Sequence, residues 1–278
     1  MELIKLAARR SRWSDVTYIL LNIAYALALF VFVTPGVDLP YLAYALVLLS
    51  KWRVVAVRPR FWFANIQANF VDFMVGISVV TLMWLTAGAT IWVAFALAVL
   101  FSAWLVILKP HSDQKWVLMQ AGIAQFISLI ALFSVAHNFE IRPIITDSSF
   151  LTVVVAWIIG YISARHALSA FRGEDERAFL SLLWAFLLAE LAWLAHHWTI
   201  AYSIYRPIGS MTDHQLMIPQ VAIIAALIGF IAIRWYRVFH APSDKYALKS
   251  ARNATIFSLC VIAIVLFNGT LLLDVTAL

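Results

Sequence analysis

A chain of 278 residues that is 64% hydrophobic and only 12% charged lies outside the range of soluble domains, in which roughly a quarter of residues are charged. The mean hydropathy of +0.91 and the net charge of +6 leave a polytopic helical membrane protein as the fold class. A single cysteine, Cys260, excludes an intrachain disulfide scaffold.

A bilayer core of about 30 Å needs ~20 apolar residues of helix. Runs of that kind, bounded by charges, Pro, Gly or turn clusters, predict nine spans at 15–34, 39–57, 63–86, 90–109, 116–137, 150–171, 178–202, 215–238 and 253–273. The first run is too long for a cleaved secretory signal and reads as a retained anchor. The second is the weakest. Only Leu39 to Ser50 is free of charge, so spanning there requires Lys51 and Arg53 to snorkel toward the headgroups.

With nine spans and a cytoplasmic N-terminus, every basic residue except Arg142 and Arg206 falls on the cytoplasmic side, and the C-terminus lies outside. Short loops retain Lys and Arg in the cytoplasm, so this asymmetry supports both count and orientation in a bacterial-type plasma membrane. The positive charge is therefore a topology signal, with anionic lipid as an additional partner and no role for nucleic acid. No loop is long enough to fold alone, so residues 1–278 read as one transmembrane domain. Two similar segments, Lys51 to Pro59 and Arg234 to Pro242, read more simply as cationic–aromatic interface anchors than as a repeat. Small-residue stripes at Ala156, Gly160 and Ala164, and at Ala94 and Ala98, predict close helix contacts.

Polar groups inside the spans carry the functional information. Counted inward from the nearest loops, Asp72 and Glu190 fall ~14 and ~20 Å deep, both near the midplane, with no basic residue expected at that depth and Arg165 the nearest. A central carboxylate costs at least ~2.5–3.5 kcal/mol, so it normally faces the bundle interior and has a partner. Asn65, Asn69 and Asp72 share one helix face, and Gln125, Ser128, Ser102 and Cys260 come to middle depths on other helices, which predicts a polar layer. Toward the outer side, His137, His196 and His197, with Glu140, Asp213 and His214 beyond them, are the candidates for a metal, haem or quinol site.

Motifs for zinc proteases, nucleophile elbows, phosphate-cradling loops and Cys-x-x-Cys pairs are absent, so no cofactor is identified. Three readings stay open. The first is a proton- or cation-coupled carrier of small solutes, with Asp72 and Glu190 handling charge and Asn65, Asn69 and Gln125 as ion- or substrate-binding supports. The second is a non-catalytic structural or assembly subunit, joined to protein partners or to further copies of itself. The third is a membrane-embedded enzyme acting on lipid or quinol at the outer interface.

Overall fold

The computed structural model describes residues 12–52, 56, 58, 60, 62–88, 90–138, 148–171, 176–197, 201–203, 217–240 and 245–276. Within these, the side chains at 12, 63–68, 137, 148, 201–203, 245 and 268–276 are left aside. The elements in chain order are α1 (Arg12–Val33), α2 (Pro40–Leu49), α3 (Trp62–Ala87), α4 (Ile91–Ala103), α5 (Gln114–Asn138), α6 (Ser148–Leu168), α7 (Arg177–His197), β1 (Ala201–Ser203), β2 (Met217–Pro219), α8 (Gln220–His240) and α9 (Lys245–Thr276). The last turn of α4 widens into a π-turn over Trp104–Leu108. Among the described residues, eight helices are long and apolar enough to cross a membrane, which makes this a polytopic all-α membrane protein.

The exception is the second expected span. It is the ten-residue helix α2, about 15 Å long, and its ends have local causes. Thr34 to Leu39 form a tight turn in which Gly36 takes φ +102°, a conformation that side chains resist, and Leu39 N–H returns to Phe32 O at 2.8 Å. Pro40 then starts α2 with its ring at a position where no intrahelical donor is needed. At the other end Ser50 Oγ donates to Val47 O at 2.7 Å, the chain turns at Ser50 and Lys51, and α2 does not continue to residue 57.

α2 and α4 both run antiparallel to α3. Tyr44 meets Thr81 at 2.9 Å while Lys51 meets Asp72, a register that fixes α2 on α3. Gly76 lies against Val47 in this contact, where an added Cβ would sit 2.9 Å from Val47 Cγ1. α5 occupies the middle of the bundle and packs on α3, α6 and α8. The small-residue stripe on α6 works as expected: Gly160 approaches α7 so closely that a Cβ there would lie 3.0 Å from Ala185 Cα. Ala156, Ala94 and Ala98 are fully buried. α8 leans on α5 and α7, and α9 joins the bundle through α8.

A small antiparallel pair, β1–β2, stands where the sequence suggested continuous helix into residue 202 and again from 215. Pro219 disfavours helical backbone at Ile218, so β2 stays extended until α8 starts at Gln220. Ser134 on α5 anchors this strand through contacts of 3.1 Å to both Met217 N and Met217 O.

Candidate functional site

The charged centre of the bundle forms where three helices meet. Asn69 and Asp72 lie one turn apart on α3 and face the C-terminal ends of α2 and α4. Lys51, just beyond α2, places Nζ 2.5 Å from Asp72 Oδ2 and 3.5 Å from Asn69 Oδ1. Lys109, just beyond α4, places Nζ 2.7 Å from the same carboxylate oxygen. Asp72 therefore carries two cations. The expectation that it lacks a basic partner is corrected here: its partners are Lys51 and Lys109.

Helix length explains the correction. α3 has 26 residues, about 39 Å, so its first turns project past a 30 Å hydrocarbon core. Asp72 stands level with the ends of two antiparallel neighbours, α2 and α4, and so beside the lysines that follow them. Both lysines can reach it by folding their apolar stems along the bundle. Burial pulls the Lys51 ammonium below lysine's ordinary range, with Asp72 opposing and Lys109 reinforcing the shift. Lys109 also loses hydration by burial, but the carboxylate of Asp72 holds it above that range.

The π-turn prepares this site. Lys109 N–H bonds to Trp104 O, five residues back, at 2.9 Å. Carbonyls near this wider turn accept side-chain donors. Tyr18 Oη donates to Leu105 O at 3.2 Å, and Gln120 Nε2 donates to Leu108 O at 2.6 Å and His111 O at 3.0 Å. With its amide nitrogen so engaged, Gln120 presents Oε1 to His166 Nε2 at 3.0 Å, and that geometry calls for the Nε2–H tautomer of His166. The sequence did not single out Gln120, His166 or Lys109, and it marked Lys51 only as a snorkelling residue at the interface. Lys109 counted only toward the cytoplasmic charge, and Gln120 and His166 had no spacing that linked them.

The expected polar layer divides into separate contacts. Gln125 Oε1 accepts from Ser163 Oγ at 2.9 Å and from Trp184 Nε1 at 2.8 Å, tying α5 to α6 and α7. Ser128, three residues on, bonds to Ser78 on α3 at 2.9 Å. Ser102 returns its hydroxyl to Ala98 O within α4, and Cys260 is exposed on α9. Gln125 is thus a buried interhelical tie and does not join Asn69 and Asp72 through any of these bonds. Asn65 lies on α3, but its side chain is outside the described residues.

Glu190 behaves in the opposite way to Asp72. α7 has 21 residues, one bilayer thickness, so Glu190 keeps its predicted depth of about 20 Å from the start of the helix. Ser181, Ala185, Leu188, Ala189 and Ala192 form the buried face, whereas Glu190 is exposed beside Phe186, Leu187, Trp193 and Leu194. No hydrogen bond or ion pair reaches Glu190 among the described residues. The expectation that it faces the bundle interior is corrected: the small residues of α7 turn toward Gly160, and the acid is carried to the outside.

His196 and His197 stand at the end of α7 with ring centroids 5.5 Å apart, and His197 Nδ1 lies 2.9 Å from Trp193 O. Among the described residues no group of three His, Cys, Asp or Glu side chains could hold a metal. The His137 side chain, Glu140, Asp213 and His214 lie outside the described residues. In comparison with known proteins, no family model, no curated protein and no solved structure matches the chain.

Proposed function

We propose that the protein is a membrane-embedded assembly subunit whose α7 face docks against a transmembrane helix of a partner polypeptide. The observation that carries this reading is Glu190, exposed at membrane depth in an otherwise apolar face. A carboxyl left against lipid costs at least ~2.5–3.5 kcal/mol, and a helix offering a hydrogen-bond donor or cation removes that cost. Phe186, Leu187, Trp193 and Leu194 around it supply apolar contact area.

Purification in mild detergent tests the proposal. The unmodified chain is expected to elute with another membrane polypeptide, and Glu190→Leu as a folded chain alone. If the unmodified chain elutes alone from native membranes, or if Glu190→Leu keeps the same partner, the proposal fails.

A second reading, a proton- or cation-coupled carrier, is favoured by a different observation: the Lys51–Asp72–Lys109 cluster holds one more positive charge than negative and lies near the Gln120–His166 pair. In that reading Asp72 alternates between its lysines as charge moves. Proton flux into vesicles containing the purified chain, followed by an entrapped pH dye, should then occur and be lost in Asp72→Asn. Flux unchanged by that substitution rejects the carrier.

A further inference from the structure

Away from the charged centre, α8 and α9 enclose an open groove of about 510 Å³ near the C-terminal end of α8 and the N-terminal end of α9. Its polar end is formed by Arg234 on α8 and by Lys249 and Asn253 on α9; its apolar end by Phe230 and Phe257, one helical turn farther along each helix. Arg234 is held in place from two sides. Nη1 donates to Ser250 Oγ at 3.0 Å, and the guanidinium lies 4.9 Å from the centroid of the Phe230 ring. Among the described residues Arg234 and Lys249 line the groove and no acidic side chain does.

We propose that this groove binds the phosphate headgroup of an anionic phospholipid, with the first acyl carbons lying along Phe230 and Phe257. A planar guanidinium fixed by Ser250 and the ring suits bidentate contact with phosphate oxygens, Lys249 adds a point charge, and the Asn253 amide adds a neutral donor. The order of groups along the helix axes matches an amphiphile, with charge toward the adjoining ends of α8 and α9 and aromatic surface one turn farther along each helix. Basic pockets between transmembrane helices recognise anionic headgroups through this chemistry. A soluble phosphate would use the same cations but gain nothing from the aromatic end.

Native mass spectrometry of the full chain in detergent micelles, titrated with phosphatidylglycerol or with phosphatidylcholine of the same chain length, tests the assignment. The unmodified chain should retain phosphatidylglycerol preferentially. The pair Arg234→Gln and Lys249→Gln should weaken that binding about tenfold, leave phosphatidylcholine unchanged and match the parent in size-exclusion profile; Lys115→Gln, a cation outside the groove, should change neither. Equal retention of the two lipids by the unmodified chain overturns the proposal without need of any variant. So does unchanged phosphatidylglycerol binding in the double variant. Displacement of the lipid by low millimolar inorganic phosphate would reassign the groove to soluble phosphate compounds and likewise overturn it.

Discussion

Replacing Asp72 by Asn removes the one anion between two lysines and leaves the bundle's shape almost intact, so it isolates the electrostatic role of this residue. At an effective dielectric constant of about 20, a unit ion pair at 2.7 Å is worth about 6 kcal/mol before desolvation. Both ammonium groups touch the same oxygen and therefore lie within about 5 Å of each other, where they repel by about 3 kcal/mol. Desolvation, several kcal/mol per buried ion, consumes most of the attraction. Losing the carboxylate leaves the repulsion unopposed, and because the Lys109 side chain is 31% exposed it can partly escape to water. The expected net loss for Asp72→Asn is about 3 kcal/mol, the lower end of what breaking a buried pair costs. Lys51→Met should differ. It removes one attraction, one repulsion and one desolvation together and leaves a one-to-one pair, for a change within about 1 kcal/mol. Unfolding in mixed micelles by titration with dodecyl sulfate, followed by the fluorescence of the 12 tryptophans, measures both. If Asp72→Asn unfolds within 1 kcal/mol of the parent, or if Lys51→Met is the more damaging change, the carboxylate is not what holds this cluster together.

The two tight glycines should respond differently to the same change. Gly76→Ala meets only Val47 side-chain atoms, so Val47→Ala should restore its stability, whereas Gly160→Ala meets the Ala185 backbone and should lose about 1–3 kcal/mol that Leu188→Ala does not recover; a double-mutant cycle in the same unfolding assay checks both. Gln125→Leu leaves Ser163 and Trp184 without their shared acceptor and should cost about 1–3 kcal/mol, with a shift in the Trp184 emission as the direct readout. Glu190→Leu should leave the isolated chain at least as stable as the parent in the same titration, because it removes an exposed carboxyl and breaks no contact among the described residues; a loss of more than 1 kcal/mol would mean that the acid serves the fold of this chain.

Hydropathy located the long helices because each must present about 20 apolar residues, a requirement written into the chain one segment at a time. The Lys51–Asp72–Lys109 cluster was not legible in that way. It depends on α2 stopping at Leu49, on α4 ending in a π-turn and on α3 running past both, three facts about relative helix level that no single segment encodes. Ser128 and Gln125 illustrate the same limit in rotation. They are separated by less than one turn of α5, yet one faces α3 and the other faces α6 and α7.

Asp72 and Glu190 look equivalent when depth is counted from the nearest loop, and the fold separates them by two independent geometrical variables. For Asp72 the variable is translation: α3 runs past the ends of α2 and α4 and brings the acid level with the lysines that follow them, which neutralise it. For Glu190 it is rotation, since a helix of one bilayer thickness keeps the acid deep while its small residues seek Gly160 and turn the carboxyl outward. An acid in the first position is satisfied by its own chain, whereas Glu190 in the second has no hydrogen bond or ion pair among the described residues. Depth alone therefore cannot assign a role to an intramembrane carboxylate; the residues opposite the acid on its own helix decide whether it looks inward to a mechanism or outward to a partner.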